Sequence, residues 1–174
     1  LAPWNYPLQL SLAPLTAALA AGNCVMLKPS ELASATAELL AKRLPEFLDS
    51  DAVSIVEGGA KLAAELVELP VDFIFYTGGT TVGRKVMTAA AANLTPLVLE
   101  LGGKSPCIVD ETANVEVAAR RIVWGKFLNA GQTCVAPDYV LVSSEKKRTL
   151  LDACKRTVLR FFGNDPRTSP DFSR

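Results

Sequence analysis

Short apolar runs alternate with stretches of helical periodicity along nearly the whole chain. Residues 24–27, 53–56, 73–76, 97–99, 107–109 and 139–142 are runs of three or four mainly β-branched, aromatic or aliphatic residues, suited to buried strands. Between them, apolar residues recur every three or four positions. Leu8, Leu12, Leu15 and Leu19 predict a first helix, with Pro14 placed to kink it and Gly22 to cap it. Ser30 is an N-cap candidate for a helix carrying Leu32, Thr36, Leu39, Leu40 and Arg43. Further helices are expected over 61–68, 84–92 and 115–128, and a last one with Leu151, Cys154, Val158 and Phe161 on its buried face. Alternation of this kind predicts an α/β fold with a mostly parallel sheet, in which ligands bind beside the carboxyl ends of the strands.

Composition narrows the chemistry. Of 174 residues 49% are hydrophobic, enough for a substantial core, and lysine plus arginine balances aspartate plus glutamate at 18 each. No net field draws the chain to nucleic acid or an anionic membrane, and no apolar run reaches the length of a membrane span. There is no histidine, which removes Cys-His and Ser-His-Asp catalysis together with histidine metal sites; no metal site is expected. The four cysteines fit no zinc spacing and read as reduced thiols of a cytoplasmic protein, with Cys24, Cys107 and Cys154 expected in the core.

Five stretches carry candidate chemistry. Gly131-Gln132-Thr133-Cys134 places a thiol just after a flexible residue; such a thiol is nucleophilic only as thiolate, and an unremarkable cysteine would be buried and inert. Glu100 ends an apolar strand beside Leu101-Gly102-Gly103, where a carboxylate can serve as general base or simply reach solvent. The turn Gly78-Gly79-Thr80-Thr81-Val82-Gly83 leads into a helix and offers backbone amides to a phosphate. It is neither the dinucleotide fingerprint nor a Walker A loop, because Arg84 and Lys85 replace the lysine and hydroxyl residues that loop requires. Lys28 and Glu31 follow a strand closely and can hydrogen-bond a ribose, or form an ordinary pair at the first turn of a helix. Pro3-Trp4-Asn5 holds an amide on a proline-framed loop.

In this order, these stretches resemble the aldehyde dehydrogenase superfamily along the whole chain, with wording most similar to its class 3 and fatty aldehyde branch, and the resemblance implies the Rossmann-like sheet of that family's fold with the start of a second α/β domain. The resemblance implies that Cys134 attacks an aldehyde carbonyl, that Asn5 and the Cys134 amide hold the oxyanion, and that Glu100 activates the water that hydrolyses a thioester. It also implies NAD as cofactor, with NADP accepted by members of the branch. Lys28 and Glu31 would hold the adenosine ribose; Gly78, Gly79, Thr80 and Gly83 would face the pyrophosphate, and Leu101 and Gly102 would line the same site. Residues 1–101 then correspond to part of the nucleotide-binding domain and 102–174 to the start of the catalytic domain. The Glu-Ile-Phe-Gly-Pro-like motif of the family is absent, and both ends look cut, so a central fragment with little or no activity of its own is expected. The full-length parent would be a homodimer, cytoplasmic or attached to a membrane through a C-terminal tail. The rival expectations are a non-catalytic paralogue or fragment that binds only nucleotide or a family partner, and an acylating relative that passes the thioester to coenzyme A.

Overall fold

The computed structural model describes residues 1–173, which form two compact units, Leu1–Leu101 and a second beginning at Gly102. The first unit runs α1 (Gln9–Ala20), β1 (Val25–Leu27), α2 (Ser34–Arg43), β2 (Val53–Ile55), α3 (Ala60–Val67), β3 (Ile74–Thr77), α4 (Thr80–Ala90) and β4 (Leu97–Glu100). The second contains β5 (Ser105–Val109), α5 (Val115–Phe127), β6 (Pro137–Val142) and α6 (Ser144–Phe162). All three strand pairs, β1–β2, β3–β4 and β5–β6, are parallel, because each pair is joined through an intervening helix.

In the first unit Leu1 and Ala2 join the two pairs. The Leu1 nitrogen donates to the Phe75 carbonyl at 2.8 Å and the Thr77 N–H to the Leu1 carbonyl at 3.1 Å, while the Ala2 N–H donates to the Lys28 carbonyl at 3.0 Å. The lateral order is therefore β2, β1, residues 1–2, β3, β4, and every one of these segments ends at the same edge. Leu15, Leu27 and Val53 form one core cluster, which includes β1 and β2, and Val67, Ile74, Tyr76, Val86 and Ala90 form a second, which includes β3. Burying each Leu, Ile or Val side chain contributes roughly 1.5–3 kcal/mol.

In the second unit Val109, Ala119, Leu150 and Ala153 form the core, and the alanines at full burial let α5 and α6 approach closely. The Asn114 side chain caps α5 by accepting from the Val117 N–H at 3.1 Å.

Several sequence expectations need correction. Helix α4 starts at Thr80, four residues early, because Gly79 is already its extended N-cap. Ser30 does cap a helix, but it is the 3₁₀ turn Glu31–Ala33 that precedes α2. The buried face of α6 is Leu150, Ala153 and Thr157; Leu151 is exposed and Cys154 half-buried, so the apolar stripe is turned by about one position. Thr157 is admitted to that core because its hydroxyl donates to the Ala153 carbonyl within the helix. Cys24 is exposed, since it lies ahead of β1, and Cys107 is half-buried; neither is enclosed in the core. Gly22 behaves as expected, at φ +82° beyond the end of α1.

Candidate active site

The carboxyl edge of the first unit gathers most of the singled-out residues. Beyond Ala2 the chain turns through buried Pro3, exposed Trp4 and half-buried Asn5 into α1. Beyond β1, Lys28 is buried and its Nζ donates to Glu31 Oε2 at 2.5 Å. That hydrogen bond, aided by a backbone one, holds the Glu31 carboxyl below its ordinary range. The Glu31 side chain is 42% exposed, so the pair presents a carboxylate outward while its lysine lies inside. An open cleft of about 300 Å³ lies alongside, lined by Pro29, Glu31, Ser34, Glu57 and Gly58 among others.

Beyond β3 the chain enters Gly78-Gly79-Thr80. The Gly78 N–H donates to the Glu100 carbonyl at 2.9 Å, so the glycine turn and Glu100 are tied at the same level, as the Thr77–Glu100 register requires. The Glu100 side chain is exposed at the end of β4. Helix α4 opens with no side-chain cap and no acidic residue in its first turn, which leaves its leading amides and dipole to an incoming anion. Gly83 is buried one turn on, where a side chain would meet the Leu101 Cδ2 at 2.9 Å; Leu101 thus packs beneath the turn, and Gly102 beyond it is exposed.

Cys134 belongs to the second unit. Helix α5 gives way to a 3₁₀ segment, Leu128–Gly131, in which Asn129, Ala130 and Gly131 all take positive φ (51°, 54° and 81°). Three successive left-handed residues, two of them bearing side chains, store backbone strain directly ahead of the thiol. A β-turn follows: Ala136 N–H donates to the Thr133 carbonyl at 3.1 Å, with Cys134 and Val135 at its corners. Cys134 is exposed there, while Ala136 is buried and Pro137 starts β6. Asp138 draws in Lys104 at 3.3 Å and Lys126 at 3.8 Å, so two cations flank the base of this loop.

Three features escaped the sequence. Glu57 and Gly58 follow β2 at the same edge and line the cleft; the strand-end rule that singled out Lys28 and Glu100 applies to them equally. Tyr76 is buried beneath the glycine turn and its hydroxyl donates to the Gly79 carbonyl at 3.3 Å. Burial pushes its phenol up. No periodicity signals such a contact. The left-handed pair Asn129 and Ala130 was hidden as well, because alanine does not advertise positive φ.

The residues of the first edge fit a dinucleotide: uncapped amides for a diphosphate, and a cleft with an outward carboxylate for a sugar. Among the described residues no group of three or more His, Cys, Asp or Glu side chains gathers to hold a metal. No described helix is long and apolar enough to cross a membrane.

Comparison with known proteins places these geometries in context. The sequence model of the Aldehyde dehydrogenase family matches residues 1–172. The chain is 52% identical to human aldehyde dehydrogenase family 3 member B1 over 174 residues, covering 100% of this chain and 37% of that protein. It is 49% identical to family 3 member A2 of Pongo abelii, covering 98% of this chain and 35% of the relative. Among solved structures, Staphylococcus aureus AldH in a substrate-bound state superposes with a TM-score of 0.91 at 48% identity, over 99% of this chain and 38% of that one. An indole-3-acetaldehyde dehydrogenase complexed with NAD+ superposes at 0.86 with 30% identity, over 97% and 36%. The chain therefore spans just over a third of the length of these relatives.

Proposed function

The chain belongs to the aldehyde dehydrogenase family, and from that premise we propose that the protein carrying it oxidises an aldehyde to a carboxylic acid with NAD(P)+. The exposed thiol of Cys134 at the corner of a strained turn is the observation that carries this reading.

In this reading the Cys134 thiolate adds to the aldehyde carbon, and the Asn5 amide and the Cys134 N–H hold the oxygen as it becomes negative. A bound nicotinamide would supply the acceptor for the hydride that leaves the former aldehyde carbon. A thioester on Cys134 remains. Glu100 takes a proton from water, the hydroxide adds to the thioester, and the thiolate departs as the acid forms. The balance is aldehyde, water and oxidised cofactor in; acid, reduced cofactor and a proton out. The absence of histidine agrees with a carboxylate as the base.

Residues 1–101 serve as the nucleotide-binding portion. The 78–83 turn faces the pyrophosphate, Lys28 and Glu31 take the adenosine ribose, and Leu101 and Gly102 line the same site. Support comes from the uncapped start of α4 and from the outward Glu31 carboxylate, which repels a 2′-phosphate and so favours NAD over NADP. Residues from 102 on begin the catalytic portion. Wording similar to class 3 and fatty aldehyde members favours a cytoplasmic or membrane-attached setting and a homodimeric parent.

The test is turnover of the full-length protein followed through NADH absorbance. Cys134→Ser should abolish it. Glu100→Gln should lower it by about 10²–10⁴, the usual worth of a general base, while leaving the first hydride transfer. Asn5→Ala should lower it by about 10²–10³. A Cys134→Ser protein that keeps the parent rate would sink the assignment.

A further inference from the structure

We infer that Gly103 is a positioning residue for Cys134, and that it acts by having no side chain. The inference rests on the proposed role of Cys134 as nucleophile.

A Cβ placed on Gly103 would stand 2.4 Å from the Cys134 carbonyl oxygen and 3.5 Å from its carbon. The obstacle is main chain, so no rotamer can clear it. Gly103 does not take a positive φ, so its backbone conformation suits any residue and the need for glycine is steric alone. Its neighbour Gly102 would meet nothing within 4 Å. The two adjacent glycines of the motif are therefore not equivalent: only Gly103 is in contact with the turn bearing the thiol.

Neither side of the contact can retreat. Two residues beyond Gly103 the chain is locked into the β5–β6 ladder, where Ser105 pairs with Pro137. On the other side the turn is closed by the Ala136–Thr133 hydrogen bond at 3.1 Å and seated by buried Ala136. Upstream, Gly131 is itself pressed against the Lys126 carbonyl, which a Cβ there would meet at 2.9 Å. A methyl group on residue 103 would have to displace the Cys134 carbonyl. In this proposal the Cys134 Cα moves with it, and Sγ and the Cys134 N–H, the proposed nucleophile and oxyanion donor, are carried away from their common target. A misplacement of about 1 Å costs on the order of 10²-fold in rate.

Gly103→Ala in the full-length dehydrogenase should therefore lower kcat about a hundredfold, with KM for the aldehyde and the Kd for NAD unchanged. Cys107 and Cys154 should stay as slow to alkylate as in the parent, which reports an intact second unit. A kcat within about threefold of the parent overturns the proposal. So does alkylation of Cys107 and Cys154 at the rate of an unfolded chain, because the glycine would then serve the fold and not the thiol. If the parent lacks dehydrogenase activity, the proposed function falls, and the seat is read separately in the 174-residue chain. There, amide exchange at Ala136 should quicken about tenfold in Gly103→Ala while α5 stays protected; unchanged exchange at Ala136 overturns it.

Discussion

Replacing Glu31 by glutamine tests whether the first edge is organised around a buried cation. Lys28 Nζ lies 2.5 Å from Glu31 Oε2, and the lysine side chain is 6% exposed against 42% for the glutamate. At that separation two unit charges attract by about 6.6 kcal/mol at an effective dielectric of 20 and about 1.7 kcal/mol in water. The exposure of Glu31 puts the pair near the aqueous limit, at roughly 2 kcal/mol. Glutamine can still accept a hydrogen bond from the ammonium, which returns part of the loss, so Glu31→Gln should destabilise the first unit by about 1–2 kcal/mol. For a unit of about 100 residues that is a fall of about 5–10 °C in Tm.

Urea unfolding in a Trp124→Phe background isolates the signal of Trp4, which lies in the first unit. The pH dependence supplies an independent check. Glu31 has a lowered carboxyl pKa in the folded chain, chiefly through its hydrogen bond to Lys28. Its contribution is present above the unfolded value of about 4.3 and is lost as pH falls through the lower folded value. The parent and Glu31→Gln should therefore differ at about pH 7 and converge at about pH 2. Equal urea midpoints at neutral pH, or a deficit that persists undiminished in acid, would refute the reasoning.

The four thiols should separate into two classes on alkylation: exposed Cys134 and Cys24 fast, half-buried Cys107 and Cys154 slow, with added NAD changing the rate of Cys134 alone. Burial, and then the neighbouring Cys107, pushes the Cys154 thiol up, so its rate should climb only above the ordinary thiol range of about 8.5; a Cys154 as quick as Cys24 would contradict the packing. Ala130→Gly should stabilise the second unit. The alanine sits at φ 54°, a left-handed conformation costing roughly 1–2 kcal/mol, of which unfolded-chain entropy takes back about 0.5–1 kcal/mol. Urea midpoints read through Trp124 check it, and a destabilised Ala130→Gly would mean that the strain is not carried there.

The order of elements was legible because strand and helix periodicities differ and each apolar run is short. All six strands fall where the runs lie; the glycine turn and Lys28–Glu31 follow strand ends and Glu100 closes one, as the sequence suggests. Legibility failed where a residue's environment depends on a partner distant in the chain. Cys24 reads as part of its strand but sits just before it, and α6 buries Leu150 and Thr157 instead of Leu151 and Val158 because β5 and α5 decide which side is covered.

By itself, then, the sequence determined the alternation, the family and the residue types available for chemistry, since these depend on local pattern and on what each side chain can do. Only the tertiary structure decided that Leu1 and Ala2 join two strand pairs at one edge, and that Tyr76 lies under the glycine turn. It also decided that Gly103 is the glycine seating Cys134 while Gly102 faces open space. Those are contacts between segments far apart along the chain, and a steric limit set by a distant carbonyl leaves no periodicity in the residues that obey it.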